Sequence, residues 1–227
     1  MSTDRADADS GSARRLISVS ASYGAGGSVV APALATRLGV PFLQRVTTSE
    51  GHPAPPGPCD EQLLADEVKA TPVHRLLASL TQAMPTGPTH SPPSSHHEDH
   101  HLRVHGEAGI HRLLATGGGV ILGRAAAVVL GKDRGYHVRL DGPPDRRVAQ
   151  GAVIERISEE EARVRLRAAD RARSAYVRRL YRVDPSDASL YHLVIDSTAI
   201  PLDAVIELIL AAVRAHEAAA EEATARS

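Results

Sequence analysis

Short apolar runs alternate along this chain with longer segments of helical apolar spacing, the pattern of strands separated by amphipathic helices. Leu16-Ile17-Ser18-Val19 is the first run, and Val29 to Leu38 is the first helical segment, closed by Gly39. Gly39-Val40-Pro41-Phe42-Leu43 predicts a turn into a short second strand, its proline near the start where a missing amide is tolerated. Helical spacing returns from Glu61 to Met84 and again from Gly106 to Leu114. Val120-Ile121-Leu122 reads as a short buried strand, Ala125 to Leu130 as helix, and Tyr136 to Leu140 as an alternating strand. Pro143-Pro144-Asp145 supplies a turn and a helix start before Arg146-Arg147-Val148. Ser158 and Glu161 form a capping box that opens a long helix over residues 158–182. Leu193 to Asp196 is a last buried strand, and Leu202 to Val213 an amphipathic closing helix. Strands separated by helices imply an α/β fold of three layers: a parallel sheet covered by helices on both faces, with ligands at the carboxyl ends of the strands.

Two kinds of interruption set the domain limits. Residues 1–15 lack periodicity and read as a disordered lead, and the alanine- and glutamate-rich tail at 216–227 is expected to fray. Within the domain at 16–215, residues 51–105 read as a variable, partly disordered insert. Proline and glycine dominate Gly51 to Cys59 and interrupt every possible turn from Met84 to Ser95. His96-His97-Glu98-Asp99-His100-His101 follows; as a helix it would pair His96 with His100 and His97 with His101 as zinc or nickel ligands. Its low-complexity flank supplies no rigid second shell, which favours a solvated polar tract. His105 and His111 read as helix-surface residues.

Composition narrows the class. A formal net charge of -1 gives no overall electrostatic case for nucleic acid or an acidic membrane surface. Aromatic content of 3% without tryptophan argues against base-stacking platforms. One cysteine, Cys59, excludes an intrachain disulfide, no run approaches a membrane span, and the amino terminus has no apolar signal core. A cytoplasmic setting is expected.

The candidate chemistry begins at Ser20 to Ser28, a glycine-rich turn between strand and helix. Unpaired amides of a first helical turn, beside the positive end of the helix dipole, suit a phosphate. Against the phosphate-loop pattern G-x-x-x-x-G-K-[ST], Ala21 takes the first glycine position, Gly26 the second, Gly27 the lysine and Ser28 the magnesium-binding hydroxyl. A plain turn is the competing reading of this stretch. Arg124, just beyond the third strand, lies on the edge where open α/β sheets bind ligands. The 158–182 helix carries Arg163, Arg165, Arg167, Arg171, Arg173, Arg178, Arg179 and Arg182. An anion nearby, a nucleic acid, or acidic neighbours on the protein's own surface would each account for that charge.

Together these residues resemble the cytidylate kinase-like family of nucleoside monophosphate kinases. Ser20 to Gly27 with Leu38-Gly39-Val40-Pro41-Phe42 resembles its opening, which also has glycine at the lysine position. Val120-Ile121-Leu122-Gly123-Arg124 resembles its central strand, Asp170-Arg171-Ala172-Arg173 with Tyr176 its lid, and Leu193 to Thr198 its closing strand. Ala21 departs from the arginine usual there, and residues 51–105 lack a recognisable base-reading set.

The resemblance implies a P-loop nucleoside monophosphate kinase fold with a long helical lid, moving the terminal phosphoryl of ATP to CMP or dCMP with Mg2+. It implies that Gly24, Ala25, Gly26 and Gly27 offer amides to ATP, that Ser28 offers its hydroxyl to the magnesium ion, and that Arg124 holds the acceptor phosphate. Arg171 and Arg173 would reach the transferring group, and Asp170 would orient the acceptor or the lid. The partners expected are nucleotide substrates, with neither membrane nor nucleic acid. The rival readings are a degenerate kinase fold acting as a nucleotide-binding regulatory or interaction module, and phosphorylation of another small acceptor.

Overall fold

The computed structural model describes residues 15–43 and 95–226. In chain order the elements are β1 (Leu16–Ala21), α1 (Gly27–Leu38), β2 (Phe42–Leu43), α2 (Ser95–Ala115), β3 (Gly119–Leu122), α3 (Ala126–Leu130), β4 (Tyr136–Asp141), α4 (Pro144–Glu155), α5 (Glu159–Tyr181), β5 (Leu193–Asp196) and α6 (Leu202–Ala225). The expected helix over Glu61 to Met84, and the proline-rich stretches before it and directly after it, lie outside the described residues.

The five strands form one parallel sheet in the order β2-β3-β1-β4-β5. β1 stands in the middle because it has no face that tolerates water: of its six residues only Ser20 is not fully buried. Alternate residues serve opposite faces. Ile17 and Val19, with Val120 of β3 and Val138 and Leu140 of β4, meet Val30 and Leu34 of α1 and Val205, Ile206 and Ile209 of α6. Each of these aliphatic side chains is shielded almost completely, worth about 1.5 to 3 kcal/mol apiece against exposure. Leu16 and Ile121 face the other way, onto Ile110 and Leu113 of α2 and Ala126 and Leu130 of α3. The sheet is thus covered on both sides, as expected of a three-layer α/β protein.

Three local readings differ from the structure. β5 was expected to be a buried strand from its Leu-Val-Ile run, but it lies at the sheet edge with Val194 and Asp196 exposed. α2 starts at Ser95 and not at Gly106, so the histidine tract is helical. Its histidines and acids present no apolar stripe for periodicity to detect. α6 continues through residues expected to fray, to Ala225. Alanine and glutamate are strong helix formers, and Glu217 of this extension pairs with Arg15 at the foot of β1 over 3.0 Å.

α4 and α5 form a helical pair with a small core of their own. Ser158 caps α5 by accepting the Glu161 amide, as its capping box predicts. Val148 and Ala152 of α4 pack with Ala162, Leu166 and Ala169 of α5, and the remaining member of that cluster is Tyr23, from the turn after β1.

Candidate functional site

The turn after β1 takes its shape from two left-handed glycines, Gly24 with φ 72° and Gly26 with φ 78°. Gly26 caps α1, and its carbonyl accepts the amides of Val29 and Val30. Ala25 N–H donates to the Ser22 carbonyl across the turn at 3.0 Å, so this amide closes the loop. The amides of Gly24, Gly26, Gly27 and Ser28 donate to no described residue. They stand at the amino end of α1, where the helix dipole favours an anion. Ser28, on the first turn of the helix, is half-buried.

The lysine position of the general pattern has no room for a lysine. A Cβ on Gly27 would come within 2.5 Å of the Ala21 Cβ and 3.2 Å of Leu122 Cδ1. Glycine here follows from close packing of α1 on the ends of β1 and β3, and any cation facing a bound phosphate must come from another element.

Behind the loop lies a polar frame of which Asp170 alone was expected as a site residue from the sequence. Arg147 of α4, only 6% exposed, donates from Nε to the Gly142 carbonyl at 2.9 Å. Its Nη1 donates to the Tyr23 carbonyl at 3.1 Å and to Asp170 Oδ2 at 2.7 Å. Asp170 Oδ1 accepts the Tyr23 amide at 3.0 Å. Gln150 Nε2 donates to the Gly24 carbonyl at 2.9 Å, and the buried Ser197 hydroxyl donates to the Ala25 carbonyl at 2.7 Å. The Tyr23 hydroxyl donates to Glu155 at 3.1 Å, and Arg165 holds the same carboxylate at 2.6 Å. No spacing rule marks Arg147, Gln150, Glu155 or Ser197. The one available cue was position: α4 follows the carboxyl end of β4, and Ser197 follows that of β5.

A second cluster edges the loop. Arg139 of β4 donates to Ser22 Oγ at 3.2 Å, to Asp141 at 2.7 Å and to the Pro185 carbonyl at 2.9 Å. Burial penalises both charges of the Arg139–Asp141 pair, but their mutual hydrogen bond and attraction outweigh it. The guanidinium is held above its ordinary value and the carboxyl below its own.

The predicted arginines fall in different places. Arg173 sits one helical turn beyond Asp170, its Nη1 4.0 Å from that carboxylate. Nη1 is buried and has no hydrogen-bond partner among the described residues. Arg171 points to the exposed side of α5. Arg124 lies at the end of β3, two residues past the Leu122 that packs on Gly27, with its guanidinium against Gly109 of α2. Gly123, Arg124 and Ala125 all adopt left-handed backbone, at φ 74°, 58° and 51°. For the two non-glycine residues that conformation costs about 1 kcal/mol each, the kind of strain that concentrates at functional sites.

Much of the anionic company expected for the arginine-rich helix is the protein's own. Arg163 pairs with Asp145 at 2.8 Å, Arg165 with Glu155 and Glu161 at 2.6 Å, and Arg178 with Asp184 at 2.7 Å. Arg167, Arg171 and Arg182 form no ion pair among the described residues. No group of three or more metal-ligating side chains occurs among the described residues, and none of their helices is long and apolar enough to cross a membrane.

Comparison with known proteins agrees with this architecture. A family model described as the cytidylate kinase-like family matches residues 16–199. No curated protein matches the chain by sequence. Among solved structures, an uncharacterised protein from Eubacterium ventriosum is similar at 17% identity and a TM-score of 0.57, over 89% of this chain and 99% of that one. A gluconokinase from Sinorhizobium meliloti is similar at 16% identity and a TM-score of 0.47, over 95% and 98% of the two chains. A deoxyadenosine kinase from M. mycoides with bound dATP is similar at 12% identity and a TM-score of 0.46, over 88% and 99%.

Proposed function

The chain belongs to the cytidylate kinase-like family, and from that premise we propose that it transfers the terminal phosphoryl group of ATP to a nucleoside monophosphate. The observation that carries this reading is the buried Nη1 of Arg173, left without a hydrogen bond 4.0 Å from the carboxylate that accepts the Tyr23 amide, next to a loop whose Gly24, Gly26 and Gly27 amides meet no acceptor among the described residues. Its ion pair with Asp170 at 4.0 Å is too long for a hydrogen bond; a buried N–H left without one costs about 1 to 3 kcal/mol, and a phosphate oxygen relieves that cost.

The amides of Gly24, Gly26 and Gly27 bind the ATP phosphates, with Ala25 shaping the turn. Ser28 fits a magnesium ion carried by the nucleotide, since its hydroxyl follows directly on those amides; the ion neutralises charge on the phosphate oxygens when bound. Arg124 holds the acceptor phosphate, and Arg173 compensates the charge that develops on the transferring group. Arg171, on the exposed side of α5, joins it as the helical lid closes. In the reaction the bond from the terminal phosphorus to the bridging oxygen breaks, and a bond to an acceptor phosphate oxygen forms. That oxygen is already ionised at neutral pH, so no general base is required, and the work is positioning and charge. The guanidinium groups occupy the role that a lysine at position 27 would otherwise fill. CMP and dCMP are the acceptors proposed.

A coupled assay for diphosphate formation, with magnesium-ATP against CMP, dCMP, UMP, AMP and GMP, tests this reading. Turnover of one monophosphate, reduced roughly a thousandfold by Arg173→Ala, is the expected result. ATP binding without turnover of any monophosphate overturns it in favour of a nucleotide-binding module.

A further inference from the structure

We propose that Arg147, Gln150 and Ser197 are positioning residues that set the direction of the phosphate-loop amides by gripping the carbonyls on the opposite side of the same peptides. The inference rests on the loop's phosphate-binding role proposed above, and assigns residues which that reading does not use.

The argument follows from peptide geometry. In a planar trans peptide the carbonyl of one residue and the amide of the next point in opposite directions. Three successive peptides of the loop have their carbonyls held. Arg147 Nη1 takes the Tyr23 carbonyl at 3.1 Å, Gln150 Nε2 the Gly24 carbonyl at 2.9 Å, and Ser197 Oγ the Ala25 carbonyl at 2.7 Å. The amides across those peptides belong to Gly24, Ala25 and Gly26. Ala25 spends its amide on Ser22, whereas those of Gly24 and Gly26 are turned away from the gripping side chains and meet no described acceptor. A glycine-rich turn left alone flips such peptides at little cost, because glycine occupies left- and right-handed regions almost equally. The three donors remove that freedom, and each comes from an element at the carboxyl edge of the sheet.

Asp170 completes the arrangement. One of its oxygens accepts from Arg147 and the other from the Tyr23 amide, so its carboxylate ties the guanidinium to the Ser22–Tyr23 peptide that leads into the loop. With each oxygen engaged by the loop or its support, Asp170 acts on ATP binding through the loop. The fit is tight: a Cβ on Gly24 would collide with the Arg147 carbonyl oxygen, so the loop and the first turn of α4 are in backbone contact.

The test is calorimetric titration of Gln150→Met, Ser197→Ala, Asp170→Asn and Arg147→Met with magnesium-ATP and with inorganic tripolyphosphate, alongside KM for the acceptor nucleotide and a thermal melt. Each variant is expected to bind both ligands about tenfold more weakly, with the acceptor KM within twofold of wild type. Tripolyphosphate carries no base or ribose, so a parallel loss on it locates the effect at the loop amides. Unchanged affinity in folded Gln150→Met and Ser197→Ala overturns the proposal, even if their melting temperatures fall. A raised acceptor KM in Asp170→Asn with unchanged ATP affinity also overturns the assignment of that residue. Because Arg147→Met removes three hydrogen bonds of a buried guanidinium and can fail to fold, the Gln150 and Ser197 variants decide the matter. Wild-type protein that binds both ligands without turnover refutes the kinase reading and leaves this inference standing. Wild-type protein that binds neither ligand overturns both.

Discussion

Single atoms decide the chemistry of the loop. At Gly24 a methyl group would meet the Arg147 carbonyl, at a backbone angle that side chains rarely adopt. Gly24→Ala is therefore expected to weaken magnesium-ATP binding by at least tenfold. Gly117→Ala, with a φ of 100° but open space around it, should cost about 1 kcal/mol of stability and leave affinity unchanged; titration and denaturation of both variants check this contrast. At this scale the sequence was informative where chemistry is carried by residue type. Gly24, Gly26 and Ser28 could be placed on the loop because glycine and hydroxyl residues between a strand and a helix have few other uses. Arg147 could not be distinguished from Arg146, its neighbour, which instead pairs with Asp196 at the exposed sheet edge over 2.6 Å. Which of two adjacent arginines turns inward depends on the exact phase of α4, and Ser197 owes its role to a carbonyl more than 170 residues earlier.

Helices and strands show the same division. α1 and α5 announce themselves, one by its closing glycine and the other by its cap: the Gly39 amide reaches the Ala35 and Thr36 carbonyls, and Ser158 accepts the Glu161 amide. α1 also contains Pro32, which has no amide to give to the Ser28 carbonyl one turn earlier. The first turn of the loop-bearing helix is therefore held less firmly than the rest. Pro32→Ala should raise stability by about 1 to 3 kcal/mol, seen as a higher urea midpoint at unchanged slope. An unchanged or lower midpoint would mean that the proline ring is needed for packing. β5 and the first half of α2 were harder to read. An edge strand and a central one share the same apolar run, and a helix rich in histidine and acid lacks the stripe on which recognition depends.

At the scale of the molecule, the two ends of the sheet do different work. The carboxyl ends carry the loop, Arg124 and the α4–α5 pair; the amino ends carry a cluster of histidines. His137, wholly buried, donates from Nε2 to the Gly131 carbonyl at 2.8 Å, which leaves Nδ1 to accept from the Ser18 hydroxyl at 2.7 Å. Its own amide donates to His192, whose ring stacks on Tyr136 and lies 5.2 Å from that of His216. Burial first, and neighbouring imidazoles second, push His192 below its ordinary value of 6.5; burial likewise outweighs the Gly131 bond at His137. A histidine with a lowered folded pKa contributes stability that is complete above 6.5 and is lost as pH falls below it. Stability should therefore decline from pH 6.5 downward, well before the paired carboxylates, with Asp184 lowered to about 2, begin to protonate. Urea titrations from pH 8 to 4 measure this slope, and His192→Gln should flatten its upper part. The alternation of strands and helices made the layered sheet legible from the sequence, because burial on both faces leaves a pattern in the chain. The histidine cluster left none: its members come from β4, the segment before β5, and α6, and only the folded sheet brings them together.

Tyr23 belongs by sequence to the loop and by packing to the core between α4 and α5, where the residue is only 3% exposed. To release its peptides to solvent the loop must draw that ring out of the helical pair. Deuterium should therefore enter the Tyr23 amide, which Asp170 accepts, no faster than the pair separates, and the exchange rates of that amide and of the pair should rise together in any variant that loosens either one.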